Sequence, residues 1–419
     1  MKKFLTSAGL VALGVSGLQA AYAPDLTEME ASKPWSVSAA LRGFYDDNYT
    51  TSPSSVSEES FGYEFTPSVS LNLPRDQTFL GASYEYSLKY YEARKNGKYD
   101  QSHKFDGRLD HAFSERYKIE VDDSFVIAQE PEILAPSGTA PGTALRTEGD
   151  NIRNLGSIRF TAQATELLAL ELAYANTFYD YQQDESDVPP GVDSRSGLLD
   201  RMEHLASLDL RWQVVPDTDV ILGYAYGMVD FNGDEQITNP DVKVGGRVPS
   251  DERNSRSHRV YVGADHRFNA QLSASVRIGG EHTDFYNAGE STVSPYADAN
   301  VTYQYNRANS IQVGLTHRRN QTDVASLDQE TTVVYGSITH KITPNLIGSL
   351  LVQGQYSTFE KGANDGDNEI FLISGLNLTY HFNPHFLAEA GYNFDRLDSD
   401  VGGRSYSRNR VYVGVRATY

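Results

Sequence analysis

The 419-residue chain has no cysteine, so neither a disulfide nor a thiolate metal site can hold its fold. Beyond residue 20 there is no run of ~18 or more apolar residues, which leaves no transmembrane helix. Basic side chains are outnumbered, with 36 Lys and Arg against 56 Asp and Glu and a formal charge of −20; that balance excludes a nucleic-acid partner. Catalytic signatures are missing as well. The sequence holds no H-E-x-x-H pair and no serine in a G-x-S-x-G turn, so it reads as a non-enzyme that needs no cofactor or metal. Tryptophan is scarce, at 2 against 27 tyrosines.

What is present begins with Lys2 and Lys3, an apolar run from Phe4 to Leu18, and the small-residue cluster Gln19, Ala20 and Ala21. This order predicts a secretory signal peptide over 1–20, cleaved near Ala20 or Ala21. Residues 21–34 then form a short N-terminal segment, too short for a plug, and 35–419 form one domain.

That domain is filled by eighteen stretches in which apolar and polar residues alternate. In 61–74, Phe61, Tyr63, Phe65, Pro67, Val69, Leu71 and Leu73 share one side, while Gly62, Glu64, Thr66, Ser68, Ser70 and Asn72 share the other. A strand sends successive side chains to opposite faces, whereas a helix would mix these two sets. The pattern starts at Trp35 and recurs near 78–91, 102–113, 117–128, 151–164, 167–179, 201–214, 219–231, 256–268, 272–285, 295–305, 309–318, 329–341, 346–358, 368–382, 386–396 and 408–419. No helical stretch interrupts it. One closed, all-β sheet with an apolar outer side follows, and lipid is the surrounding that suits that side.

Link lengths give an independent signal. Even-numbered strands turn back within a few residues, as at 74–77, 114–116 and 215–218, whereas odd ones are followed by longer Gly-, Pro-, Asp- and Asn-rich links such as 128–150, 180–200, 232–255 and 397–407. Short turns on one side and long loops on the other are the asymmetry of outer-membrane barrels, and place both termini in the periplasm. Aromatic residues gather at strand ends: Trp35, Phe113, Trp212, Phe268, Tyr380 and Tyr419 at one level, Tyr45, Phe61, Tyr86, Tyr90 and Phe178 at the other. These are two belts at head-group depth.

A signal peptide, repeated amphipathic strands and a final strand ending in Tyr419 resemble the Gram-negative outer-membrane barrels, and the whole mature chain resembles the broad beta-barrel porin families. The resemblance implies a transmembrane antiparallel up-and-down β-barrel of about 18 strands in the outer membrane, bedded in lipid and lipopolysaccharide. It also implies recognition of the last strand by the barrel assembly machinery. Monomers and homo-oligomers both fit such a barrel.

If the apolar parity meets lipid, the other lines the interior, and there it is charged. Lys104, Asp106, Arg108, Asp110, Glu120, Arg153, Arg159, Asp209, Arg211, Arg277, Arg410 and Arg416 are the expected pore-lining residues, most of them engaged in ion pairs along the wall. A dry core could not hold so many charges, so water must reach them. In resembling porins the third outer loop narrows the pore; its positional equivalent is 128–150, with Glu130, Glu132, Arg146 and Glu148 able to set a local field. An outward-facing loop is the alternative. Acidic clusters at Asp230, Asp234 and Glu235 and at Asp365, Asp367 and Glu369 depart from calcium-loop spacing and read as solvated tips. His103, His111, His204, His258, His266, His282, His317 and His340 fall on the lipid-facing parity, where imidazole serves as a further interfacial ring.

Three functions fit. The first is passive diffusion of small hydrophilic solutes, with mild cation preference from the acidic loops. The second is export of a polysaccharide, stacked on the inward rings Phe44, Tyr91, Tyr179, Tyr261, Tyr296, Tyr335 and Tyr412, which look scattered over the strands. The third is a structural or adhesive barrel whose interior is merely filled.

Overall fold

The computed structural model describes residues 33–129, 149–240, 245–306, 308–362 and 364–419. The expected signal peptide and nearly all of the segment after it lie outside this set. So do Glu130, Glu132, Arg146 and Glu148.

The strands run β1 (Trp35–Asp46), β2 (Ser60–Pro74), β3 (Thr78–Tyr91), β4 (Tyr99–Ala112), β5 (Tyr117–Ala128), β6 (Asn151–Gln163), β7 (Leu168–Tyr181), β8 (Arg201–Val215) and β9 (Thr218–Phe231). After a small hairpin of β10 (Gln236–Thr238) and β11 (Arg247–Pro249) come β12 (Ser255–Arg267), β13 (Leu272–Phe285), β14 (Glu290–Asn306) and β15 (Asn309–Asn320). The last five are β16 (Asp328–Lys341), β17 (Leu346–Glu360), β18 (Asn368–Asn383), β19 (Phe386–Ser399) and β20 (Tyr406–Thr418). All but the hairpin form one 18-stranded sheet in which sequence neighbours pair antiparallel. β1 pairs with β20 from Ser38–Thr418 to Asp46–Arg410, so the sheet closes and has no edge. Tyr419 extends that seam, exchanging both backbone hydrogen bonds with Val37 at 2.9 and 3.2 Å.

Which face is inside follows from side chains two strands apart, which converge only on the concave face of a closed sheet. Arg42 of β1 meets Glu389 of β19, the Tyr261 hydroxyl of β12 donates to Asp209 of β8 at 2.5 Å, and the Asn300 amide of β14 donates to Tyr335 of β16 at 3.0 Å. All belong to the polar parity. On the other parity Tyr63 and Phe65 are 63% and 44% exposed, while their neighbours Thr66 and Ser70 keep 7% and 4%. The apolar row of 61–74 points away from the axis, as the alternation predicts.

Histidines of the outer face take cross-strand hydroxyl partners, which satisfies a polar ring on an otherwise apolar surface. Tyr84 bonds His103 at 2.9 Å, Tyr174 bonds His204 at 2.7 Å, Tyr224 bonds His258 at 2.8 Å and Tyr305 bonds His340 at 2.6 Å. Helix is not wholly absent from the links: α1 (Arg195–Leu199) makes a single turn between β7 and β8, capped by Ser194, whose hydroxyl accepts the Gly197 N–H at 3.0 Å.

The inward rings are grouped rather than scattered. Phe44, Tyr91, Tyr412 and Tyr49 form one buried cluster, and Tyr261 and Tyr296 lie 5.5 Å apart. The cause lies in register. Phe44 faces Gly62, Tyr261 faces Gly223, Tyr335 faces Gly314 and Tyr412 faces Gly391 on the adjacent strand. A Cβ at any of those glycines would sit within 2.3 Å of the ring, so each ring lies flat on the wall in space only glycine leaves. Paved in this way, these four rings offer no row of open faces for sugars.

Candidate functional site

The inner face has two unlike halves. From β4 to β13 it is a ladder of ion pairs. Lys104 meets Asp106 at 3.4 Å, and Arg108 meets Asp110 at 3.0 Å and Asp122 at 3.9 Å. Glu120 takes Lys118 and Arg159, the latter at 3.3 Å, and Arg159 reaches on to Glu171 at 3.2 Å. Arg211 pairs with Asp265 and Asp219, and Arg277 joins the same Asp265 at 2.7 Å. Asp209 accepts from Tyr261, and Arg153 donates to Asn151 at 3.2 Å. On the far side Arg410 approaches Glu64 at 3.8 Å with its guanidinium 4.5 Å from the Phe44 ring, and Arg416 is buried between β1 and β19. All twelve expected residues thus point inward. They are not equally open: the side chains of Arg108, Asp122 and Arg159 keep 45%, 54% and 40% of their surface.

Across the bore, β16 to β19 turn an apolar wall inward. Val333, Tyr335, Leu351, Phe371, Ile373 and Leu397 pack with Tyr406 of β20 into a buried cluster. This departs from the expectation of a charged lining all round. The sequence carries the reason in Ile370–Ile373 and in Leu350–Val352, where alternation gives way to runs that are apolar on both faces.

Above this wall the link 321–327 lies buried, with Thr322, Val324, Ala325, Ser326 and Leu327 all sheltered from solvent. It is tied on both sides. Arg253, fully buried, donates to the Leu198 carbonyl at 2.8 Å and to the Thr322 carbonyl at 2.7 Å, with its guanidinium 4.3 Å from the Phe231 ring. Arg404 makes a two-pronged pair with Asp323 at 2.8 and 3.0 Å and reaches Glu369 at 2.6 Å. Leu198 belongs to the link between β7 and β8, and Arg404 to the link between β19 and β20, eight barrel strands apart by the shorter way round a ring of eighteen. A chain of contacts therefore crosses the long-link mouth as a strap over the β8–β20 side. The sequence reading did not foresee it; the expected constriction loop 128–150 lies almost wholly outside the described residues.

Burial pushes the Arg253 guanidinium down to about 9, with Arg201 adding to the effect, yet it stays charged at neutral pH. Asp200, which closes α1 by accepting from the Tyr181 N–H at 2.6 Å and the Ser196 hydroxyl at 2.7 Å, is raised by burial to about 6. The acidic links serve structure: Glu235 accepts from Ser194 at 2.9 Å, and Asp365 from the Lys361 N–H at 2.7 Å. Among the described residues no group of three or more His, Asp and Glu is placed to hold a metal.

Residues 251–339 and 334–419 match the family described as "Putative beta-barrel porin 2". No curated protein matches the chain. Among solved structures it is similar to the outer membrane protein OpdK from Pseudomonas aeruginosa, with 11% identity over 92% of this chain and 99% of that one at a TM-score of 0.45. It is also similar to a BenF-like porin from Pseudomonas fluorescens Pf-5, with 9% identity, the same shares and a TM-score of 0.45. Acinetobacter baumannii OccAB4 gives 11% identity over 92% and 99% at a TM-score of 0.43. An apolar skin around an ionised interior, closed without an edge, makes the chain a β-barrel of the membrane-spanning kind, and its residues 251–419 are similar to the porin family named above.

Proposed function

We propose that the chain is a passive channel for small hydrophilic solutes, which diffuse along the charged β4–β8 wall past the strap. The observation that carries this reading is the exposure of Arg108, Asp122 and Arg159 inside a closed barrel. Ionised groups left that open inside the barrel are stable only if water fills the space beside them. No conformational cycle, cofactor or reaction is needed; size and local field select the solute. The twelve inward residues line the passage, and the acidic mouth favours cations mildly. Lipid and lipopolysaccharide surround the apolar face, both termini lie in the periplasm, and the strand ending at Tyr419 is the one the assembly machinery reads. Deleting Tyr419 should leave the chain in the periplasm; a truncated chain that still reaches the outer membrane removes that role.

Planar-bilayer recording of the refolded chain tests the function. Steady ohmic currents with a reversal potential on the cation side are expected. Strong anion selectivity refutes the loop-based preference, and absence of current hands first place to a structural barrel.

A further inference from the structure

Most charges on the inner wall are answered by a fixed partner, but Asp298 of β14 and Arg318 of β15 are not. Both belong to the inward parity, since Val301 and Val293 on β14 and Val313 and Leu315 on β15 are the exposed neighbours. Among the described residues neither side chain makes a hydrogen bond or an ion pair: Asp298 lies in the field of Arg277, which stands opposite it on β13 but is committed to Asp265 at 2.7 and 3.1 Å, and then of Arg318 and Arg259, while Arg318 lies in the field of Arg259 and Asp298. Asp298 stands opposite Thr316, so Arg318 is its diagonal neighbour, ~7–8 Å away along the sheet. Tyr296 occupies the place facing Arg318, one residue beyond the Ala297–His317 pair.

The surroundings are locked. Arg259 is held by Glu281 at 2.8 Å and lies 4.4 Å from the Tyr296 ring, which also touches the Tyr261 ring at 5.5 Å. Neither neighbour is free to turn and neutralise the pair. Glu203, across the bore on β8, is close enough to act on Arg318 but is itself paired with Arg201 at 2.7 Å. The strap begins three residues after Arg318, so the two unanswered charges sit just beneath it. Both side chains are half-buried and face the bore, so what answers them is water or a solute that replaces it.

We propose that Arg318, Tyr296 and Asp298 form a solute site for zwitterions, Arg318 taking the carboxylate and Asp298 the ammonium group of an amino-acid- or betaine-like molecule laid along the ring. This inference rests on the channel reading. A lone anion would leave Asp298 unanswered and a lone cation would leave Arg318 so; a molecule with both charges satisfies the two at once.

Swelling of liposomes holding the refolded full-length protein tests it, with glycine betaine as zwitterion, erythritol as neutral solute and lactate as anion. The betaine-to-erythritol rate ratio should fall about fivefold in Asp298→Asn and in Arg318→Gln, and no further in the double variant, because either change removes one half of a single site. Heat-modified mobility on gels confirms that each variant is folded. An unchanged ratio in both single variants overturns the proposal. So does a fall confined to Arg318→Gln and shared by lactate, which identifies a plain anion site. If the wild-type protein admits no erythritol, the channel reading itself fails, and the site falls with it.

Discussion

Arg253→Met opens the mouth: single-channel recordings should show a larger conductance level, visited often, that the wild-type protein rarely enters. The reasoning rests on what the guanidinium holds. It joins the carbonyls of Leu198 and Thr322, in links that leave the sheet at different points of the ring, and methionine keeps much of the volume while removing both donors. A buried carbonyl left without a donor costs about 1–3 kcal/mol, and each 1.4 kcal/mol is about tenfold in the population of the released strap. Acidity should act in the same place. Asp200 has a folded-state value raised to about 6 from an ordinary value near 3.8, so its contribution to holding α1 is full below the ordinary value and lost as pH rises through about 6. The larger level should therefore be commoner at pH 7.5 than at pH 5. If Arg253→Met shows wild-type levels and noise, the strap is held by something other than this residue.

Arg408→Ala should weaken the seam more than any other change of a single pair. Arg408 of β20 holds Asp46 of β1 through three contacts of 2.5, 2.9 and 3.1 Å, 362 residues apart in sequence, and Asp46 has no exposed surface. Removing one partner of a buried pair strands the other charge and costs about 3–5 kcal/mol, whereas replacing both is nearly neutral. The urea midpoint of the barrel in lipid, followed by gel mobility, should drop markedly for Arg408→Ala and recover in Asp46→Asn/Arg408→Met. A single variant that unfolds with wild-type resistance would show that the ladder alone holds β1 to β20.

The barrel and its charged lining were legible because both depend on a local period of two: once Phe65 is assigned outward, Glu64 and Thr66 must turn inward. The short turn at 74–77 and the long link at 180–200 likewise carry their meaning locally. What stayed hidden depends on register or on distance. Phe44 lying on Gly62 cannot be read before the two strands are aligned. The strap is made of backbone carbonyls and single charges, such as Thr322 with Arg253 and Asp323 with Arg404, drawn from links far apart in the chain, and no local pattern marks them. The apolar inner wall did have a signal, since Ile370 to Ile373 breaks the alternation, but a strand buried on both faces is unexpected in a barrel otherwise wet inside. Asp298 and Arg318 looked like any other members of the polar parity; what sets them apart is that two opposite charges without a fixed partner stand as diagonal neighbours.

Because the chain has no native cysteine, single cysteines report on each surface without background. The most direct test of oil outside and water along the β4–β8 wall is labelling, in lipid vesicles, of Asp122→Cys and Val352→Cys with a charged, membrane-impermeant thiol reagent. Asp122→Cys should react quickly and lose current as it does so, while Val352→Cys stays unlabelled. Labelling of Val352→Cys with a silent Asp122→Cys would contradict the account.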